Sequence, residues 1–186
     1  MLRCRAVLIA LMVLWVGGGQ PVPSSAAPRR VDLPGVRVLA VAPFYDEWYA
    51  PDLVQYGPAR LTELLQTGPY RVVPPAVVAE AMARLGVTAR DLISPSRTVE
   101  LGTAVNADAV LTGRITYALR EKPGPREDTN RIADGGAGSR VDVDIRILDI
   151  RTRLKPLEEQ FSCQLEGSLR AAMDCVVRDA ASRLVP

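Results

Sequence analysis

Histidine is absent from these 186 residues, and lysine occurs only at positions 122 and 155. Without an imidazole the chain lacks the usual general base of hydrolytic triads and dyads, and also the commonest metal ligand. A Ser-Lys or Thr variant needs a lysine whose pKa burial has depressed, and Lys122 and Lys155 both stand in proline-rich turns. Cysteine is scarce too, at positions 4, 163 and 175; Cys163 and Cys175 alone would offer zinc too few ligands. No glycine-rich phosphate loop follows the first apolar strand. "GGAG" at 135–138 is followed by neither a helix nor a lysine, so it reads as linker. These absences leave no catalytic group and no cofactor to assign.

An apolar run long enough to span a bilayer is also missing. Arg3 and Arg5, the apolar stretch 6–16, the helix-breaking Gly17, Gly18 and Gly19 and the small residues of "PVPSSAAP" together read as a signal peptide, 1–26, cut after Ala26. The apolar stretch falls well short of the roughly 20 residues of a spanning helix. The early cysteine, Cys4, precedes the stretch, so lipidation at the cut is not expected. Losing Arg3 and Arg5 brings the 23 basic residues level with the 21 acidic ones. The mature chain then has no electrostatic footprint for nucleic acid or an anionic membrane, and meets a membrane only in transit through its signal. Residues 27–35 read as linker and 36–186 as one domain, large enough for one core.

"GVRVLAVAPF" is a continuous valine-rich run, the pattern of a strand buried on both faces. Pro58 can open a helix with Leu61, Leu64 and Leu65 inward, capped at Gly68 and ended by Pro69. "YRVVP" is a second short strand; Val77, Val78, Ala81, Met82 and Leu85 follow at helical spacing up to Gly86. Ser94 and Pro95 start a third helix, to about Val105, with Val99 and Ala104 inward. In the strand "ADAVLTGRITYAL", Gly113 marks a bulge or a close backbone approach.

"VDVDIRI" alternates strictly and leaves Asp142, Asp144 and Arg146 on a wet face. "LEEQFSCQL" alternates again, with Leu157, Phe161, Cys163 and Leu165 together, and a last helix runs from Ser168 to about Leu184. The order β-α-β-α-α-β-β-β-α describes an α/β (α+β) domain of three layers, with a mixed sheet of about five strands flanked by helices. Residues 120–140, rich in glycine, proline and charge, are expected to form a flexible loop.

Of the aromatic residues, Phe44, Tyr45, Trp48, Tyr49 and Tyr56 fall within 44–56. Phe44 ends a buried strand. Tyr45, Trp48 and Tyr49 cannot all be buried in so short a loop; such amphipathic rings either form a docking rim or fold back over the sheet edge. Asp46, Glu47 and Asp52 stand at the carboxyl end of a central strand, where α/β sheets usually place ligands. They read as solvated loop charge with Asp52 as an N-cap, or as a metal-binding, small-ligand or acid-base set. The expected partner-binding residues are Tyr45, Asp46, Glu47, Trp48, Tyr49 and Tyr56. Cys163 and Cys175 are expected to form a disulfide in an oxidising compartment, with two separate core thiols as the alternative.

The strings "RVLAVAPF", "GPYRVVPPAVVAEAMARLG", "LGTAVNADAVLTGRIT" and "VDIRILDIRT" occur in an order with a counterpart elsewhere. In that order the chain resembles the envelope α/β domain of CsgG-like secretion lipoproteins, LpoB-type activators of peptidoglycan synthases and the N-terminal domain of TolB. The resemblance covers roughly Val36 to Pro186, and its recurring pattern is filled by Val38 to Phe44, Tyr70 to Val73, and Leu101 through Ala107 and Asp108 to Gly113. It implies a periplasmic, non-catalytic accessory of the bacterial cell envelope that assembles with itself or with an envelope protein. The chain departs from the pore-forming members in lacking a lipidation cysteine after the apolar stretch and an amphipathic membrane hairpin.

Overall fold

A computed structural model describes residues 30–120 and 138–185. The valine-rich run becomes β1 (Val38–Val41), and the chain then meets Pro43, which has no N–H to give to a ladder. β1 pairs in parallel with β4 (Ala109–Arg120), and the chain resumes the same ladder as β2 (Tyr45–Asp46) one residue out of step. Val41 lies opposite Leu111, but Tyr45 lies opposite Arg114. Between the two, Phe44 turns fully into the core.

Its ring explains two glycines. A Cβ at Gly113 would stand 2.5 Å from the Phe44 ring, and one at Gly57 would stand 2.9 Å from it. Gly113 is therefore a close approach; the irregularity of β4 lies after it, where the register with β5 (Gly138–Asp149) shifts between Ile115 and Tyr117.

With β3 (Arg71–Val72) and β6 (Leu157–Glu166), the sheet has six strands in the order β3-β1-β4-β5-β6, with β2 also beside β4. β1, β3 and β4 run parallel, whereas β4, β5 and β6 are antiparallel neighbours. Helices α1 (Pro51–Gln66) and α4 (Leu169–Leu184) cover one face; Leu53, Leu61, Met173 and Val176 meet Leu111, Ile115, Val143, Ile145 and Ile147 there. Helices α2 (Pro75–Leu85) and α3 (Pro95–Ala104), with a single 3-10 turn at Asp91–Ile93, pack on the other face over Ala40, Ala42 and Val110. The result is one α+β domain with a mixed open sheet and four helices, in the expected element order with β2 added inside the expected loop.

Several expectations change, among them the cap at Gly68, since α1 ends on Thr67 in a right-handed conformation. The first helix opens at Pro51 rather than Pro58, because Asp46 already folds the preceding turn by accepting the N–H groups of Trp48 and Ala50. Tyr56 is thereby helical, and Asp52 lies in the first turn rather than at the cap. Helix α3 buries Thr98, Leu101 and Gly102 instead of Val99 and Ala104, since Gly102 admits Ile150 and the Thr98 hydroxyl donates to the Leu92 carbonyl at 2.9 Å. The strands also reach into the expected 120–140 loop, to Arg120 and from Gly138. Its remainder, 121–137, and the expected signal peptide lie outside the described residues.

Ser168 caps α4 by accepting the Ala171 N–H. The sulfurs of Cys163 and Cys175 are bonded, tying β6 to α4 across a Cα separation of 6.1 Å.

Candidate functional site

Helices α2 and α3 cover only the parallel half of their face and the end of β5, where Leu148 is buried and Ile150 meets Gly102. Beyond them the face of β4, β5 and β6 is uncovered among the described residues. Strand alternation fills it with polar side chains in three cross-strand rows: Thr112, Arg146 and Glu158; Arg114, Asp144 and Gln160; Tyr117, Asp142 and Ser162.

Each row is linked. Arg146 donates to the Ile93 carbonyl at 3.0 Å and faces Glu158 at 4.0 Å, which Lys155 holds at 2.9 Å. Arg114 donates to Asp144 at 2.5 Å and lies 3.7 Å from Glu47, while Gln160 donates to Thr116 at 3.3 Å. In the third row Arg140 grips Asp142 with two bonds, of 3.0 and 2.8 Å, and the Ser162 hydroxyl donates to the same carboxylate at 2.5 Å.

The third row extends into an aromatic ladder. The Arg140 guanidinium lies 5.3 Å above the Tyr117 ring, and Tyr117 meets Trp48 at a centroid distance of 4.9 Å. Asp142, at its base, is only 7% exposed. Burial pushes its carboxyl upward, but the bonds from Arg140 and Ser162 outweigh it and hold it below the ordinary 3.8.

The six expected docking residues do not form one surface. Tyr45, Glu47 and Trp48 join the uncovered face, where Tyr45 lies under Arg90 at 5.9 Å. Tyr45 also lines a cleft of about 330 Å³ with Leu92, Ile93, Arg114, Asp144 and Gln160. Asp46 is committed to the turn. Tyr49 and Tyr56 belong to the side of α1 and α4: Tyr56 sits under Arg170 at 5.7 Å, and Tyr49 borders a groove with Leu53, Leu169, Arg120 and Arg170.

The three carboxylates have separate tasks, for Glu47 pairs with Arg114 and Asp52 starts α1. Among the described residues no three metal-ligating side chains gather. Arg114, Tyr117, Arg140 and Gln160 were not singled out from the sequence. The strict alternation of "VDVDIRI" marked their face as wet, but the slip at Thr116 hides that Tyr117 shares it.

No known protein family matches the sequence, and no curated protein does. Solved structures do match. The dodecamer-forming PelC of Paraburkholderia phytofirmans aligns with a TM-score of 0.55 at 13% identity, over 87% of this chain and 96% of its own. A lipoprotein of Neisseria meningitidis aligns at 0.56 and 22% identity, over 78% of this chain and 99% of its own. The C-terminal domain of LpoB from Salmonella enterica aligns at 0.44 and 13% identity, over 72% and 87%, too weak a likeness to argue from. At these identities the similarity shows that this α+β fold is shared, and no more.

Proposed function

We propose that this chain is an exported, periplasmic, non-catalytic accessory of the bacterial cell envelope, acting through protein contacts at the uncovered face of its sheet. The observation that carries the reading is the ladder Trp48, Tyr117, Arg140, Asp142, Ser162. It is an ordered row of rings and charges on a face that no described helix covers, with Trp48 46% exposed at its end. Large rings held rigidly beside a guanidinium are the usual anchors of protein interfaces. The leader-like residues 1–26 and the fold shared with a lipoprotein of Neisseria meningitidis support the location, and the dodecamer of the similar PelC supports self-association as one form of partnership.

A small-ligand or metal reading of Asp46, Glu47 and Asp52 has less support. Asp46 accepts the Trp48 and Ala50 amides, one on each oxygen, and Glu47 is engaged by Arg114. A photo-cross-linking residue at position 48, in intact cells, tests the proposal. The expected result is a discrete protein adduct that disappears when Tyr117 and Arg140 are both replaced by Ala; a chain that cross-links to no protein counts against it.

A further inference from the structure

The even charge of the mature chain predicts no footprint for an anionic membrane, but the fold gathers its charges unevenly. At the end of the sheet where the parallel strands begin, connected segments bring arginines together. Arg71, the first residue of β3, donates its N–H to the Arg37 carbonyl at 2.8 Å. Val38 accepts the N–H of Asp108, and Asp108 accepts that of Ile150, both at 2.9 Å, which sets Arg151 alongside. Arg153 follows in the turn between β5 and β6. Arg30 enters beside the end of α4, where Val31 donates its N–H to the Arg183 carbonyl at 2.9 Å.

These five arginines are exposed, and no guanidinium among them is hydrogen-bonded or ion-paired within the described residues. The acids nearby do not cancel them. Asp108 attracts Arg37 and Arg151, but its carboxylate accepts the N–H groups of Arg37 and Val38 at 2.9 and 2.8 Å. Asp149 accepts the Thr152 N–H at 2.7 Å, and Asp32 lies near Tyr70. Glu158 is matched by Lys155 and Arg146, and Glu159 and Asp179 by Arg183. Eight basic side chains thus meet six acidic ones, and five of the eight have no pair.

The turn in the middle of this cluster presents a hydrophobic side chain. Leu154 is 68% exposed, more than any other large aliphatic residue described, and it stands between Arg153 and Lys155. The backbone holds it there. The Asp149 N–H donates to the Leu154 carbonyl at 3.0 Å, the Arg153 N–H to the Asp149 carbonyl at 2.8 Å, and the Leu154 N–H to the Thr152 hydroxyl at 3.3 Å. Arg153 accepts a left-handed φ of +59° to complete the turn. An aliphatic residue fixed in water and ringed by unpaired guanidinium groups matches the boundary of an anionic bilayer, with the charges at the headgroups and the side chain just below. The position of the leader agrees, for the described chain begins at residue 30, at this same end of the domain. Joined through 17–29 to the apolar stretch 6–16, this end is the part of the domain nearest to the bilayer that the leader enters.

We propose that the turn 151–155, with Arg30, Arg37 and Arg71 around it, is a peripheral contact for an anionic lipid bilayer, in which Leu154 is the inserted residue. The contact is separate from the docking face and lies at the opposite end of β4 from Arg120.

The test is co-sedimentation of the chain, purified from the periplasm of an expression host, with vesicles of phosphatidylglycerol and phosphatidylcholine in equal parts. Wild type should bind these vesicles, release them as salt is raised, and ignore phosphatidylcholine alone. Arg151→Gln with Arg153→Asn removes two charges, and asparagine accepts the left-handed backbone at 153; binding should weaken about twenty-fivefold, about fivefold per arginine. Leu154→Ser should weaken it about tenfold. Arg120→Gln, at the far end of β4, should change nothing. All these positions are exposed, so the melting curves should match wild type. No binding to the anionic vesicles, equal binding to phosphatidylcholine, full-strength binding by Leu154→Ser, or an equal loss with Arg120→Gln overturns the inference. Displacement of the vesicles by inorganic phosphate at constant ionic strength would mark a site for a soluble anion and overturn it too.

Discussion

The two faces of β4, β5 and β6 are built from alternate residues of the same strands, and they differ in what holds them. Beneath α1 and α4, Ile115, Val143, Ile145 and Ile147 are completely buried. On the other face Arg114 and Asp144 retain 41% and 34% of their side-chain exposure, and pairs so wetted contribute about 0–1 kcal/mol each. Stability accounts for the first face and not for the second, whose ordered rings and charges are more than folding requires. One sheet thus separates two kinds of surface by parity, with a core under the helices and the proposed docking face in the open.

The largest effects should come from the covered face. Phe44→Ala removes a fully buried ring that fills the space over Gly113 and Gly57, and should cost about 3–5 kcal/mol in denaturant titration. Gly113→Ala approaches the same contact from the strand side and should cost about 1–3 kcal/mol, because the ring must move off its seat. A change at Gly113 without effect would mean that the ring has room to spare and that the covered face is less tightly packed than described.

Next in size is the tie between β6 and α4. Reducing the Cys163–Cys175 bond, or replacing both residues by Ser, reopens a loop of 12 residues and should lower stability by about 3 kcal/mol. The comparison of faces sharpens if the loss is confined to thermal or denaturant stability and the adduct at position 48 survives below the new midpoint.

How far the sequence reaches follows the same division. Apolar pattern marks β1, β5, β6 and α4, because β1 is buried on both faces and reads as a continuous run, while the other three each have a single face to bury and the period states which. Local substitutions of one hydrogen-bonding pattern for another are not visible in period. Asp46 capping the turn in place of Asp52 moved the start of α1 from Pro58 to Pro51, and with it took Tyr56 out of the loop. The one-residue slips at 42–44 and at Thr116 decide which face Tyr45 and Tyr117 reach, and neither leaves a trace in composition. The aromatic cluster near 44–56 was therefore legible as a feature, but its division between two sides of the sheet was not.

Asp142 is the point at which the open face approaches the behaviour of the covered one. Its carboxyl is held below 3.8, so its stabilising contribution is complete at pH values above 3.8 and is lost as pH falls through the lower folded value. Asp142→Asn keeps the shape but weakens the bonds to Arg140 and Ser162, and should cost about 1–2 kcal/mol at neutral pH. The gap between wild type and variant should close as the pH is lowered past 3.8, measured by urea midpoints. A gap independent of pH would mean that Arg140 and Ser162 do not favour the charged form, and the base of the ladder would be structural filler.

The smallest effect on stability should come from Trp48, and its smallness carries the argument. Half of the ring is in water, so Trp48→Ala gives up mainly the contact with Tyr117, about 0.5–1.5 kcal/mol for an aromatic pair. That is well under the loss expected at Phe44, four positions away in the same segment. Recovery of partners or of self-association, by contrast, should fall by more than tenfold, since truncating an anchor at the centre of an interface removes both its area and its exclusion of water. If Trp48→Ala instead destabilises as much as Phe44→Ala and leaves association unchanged, Trp48 belongs to the core. The open face would then be no more than the solvated back of the sheet.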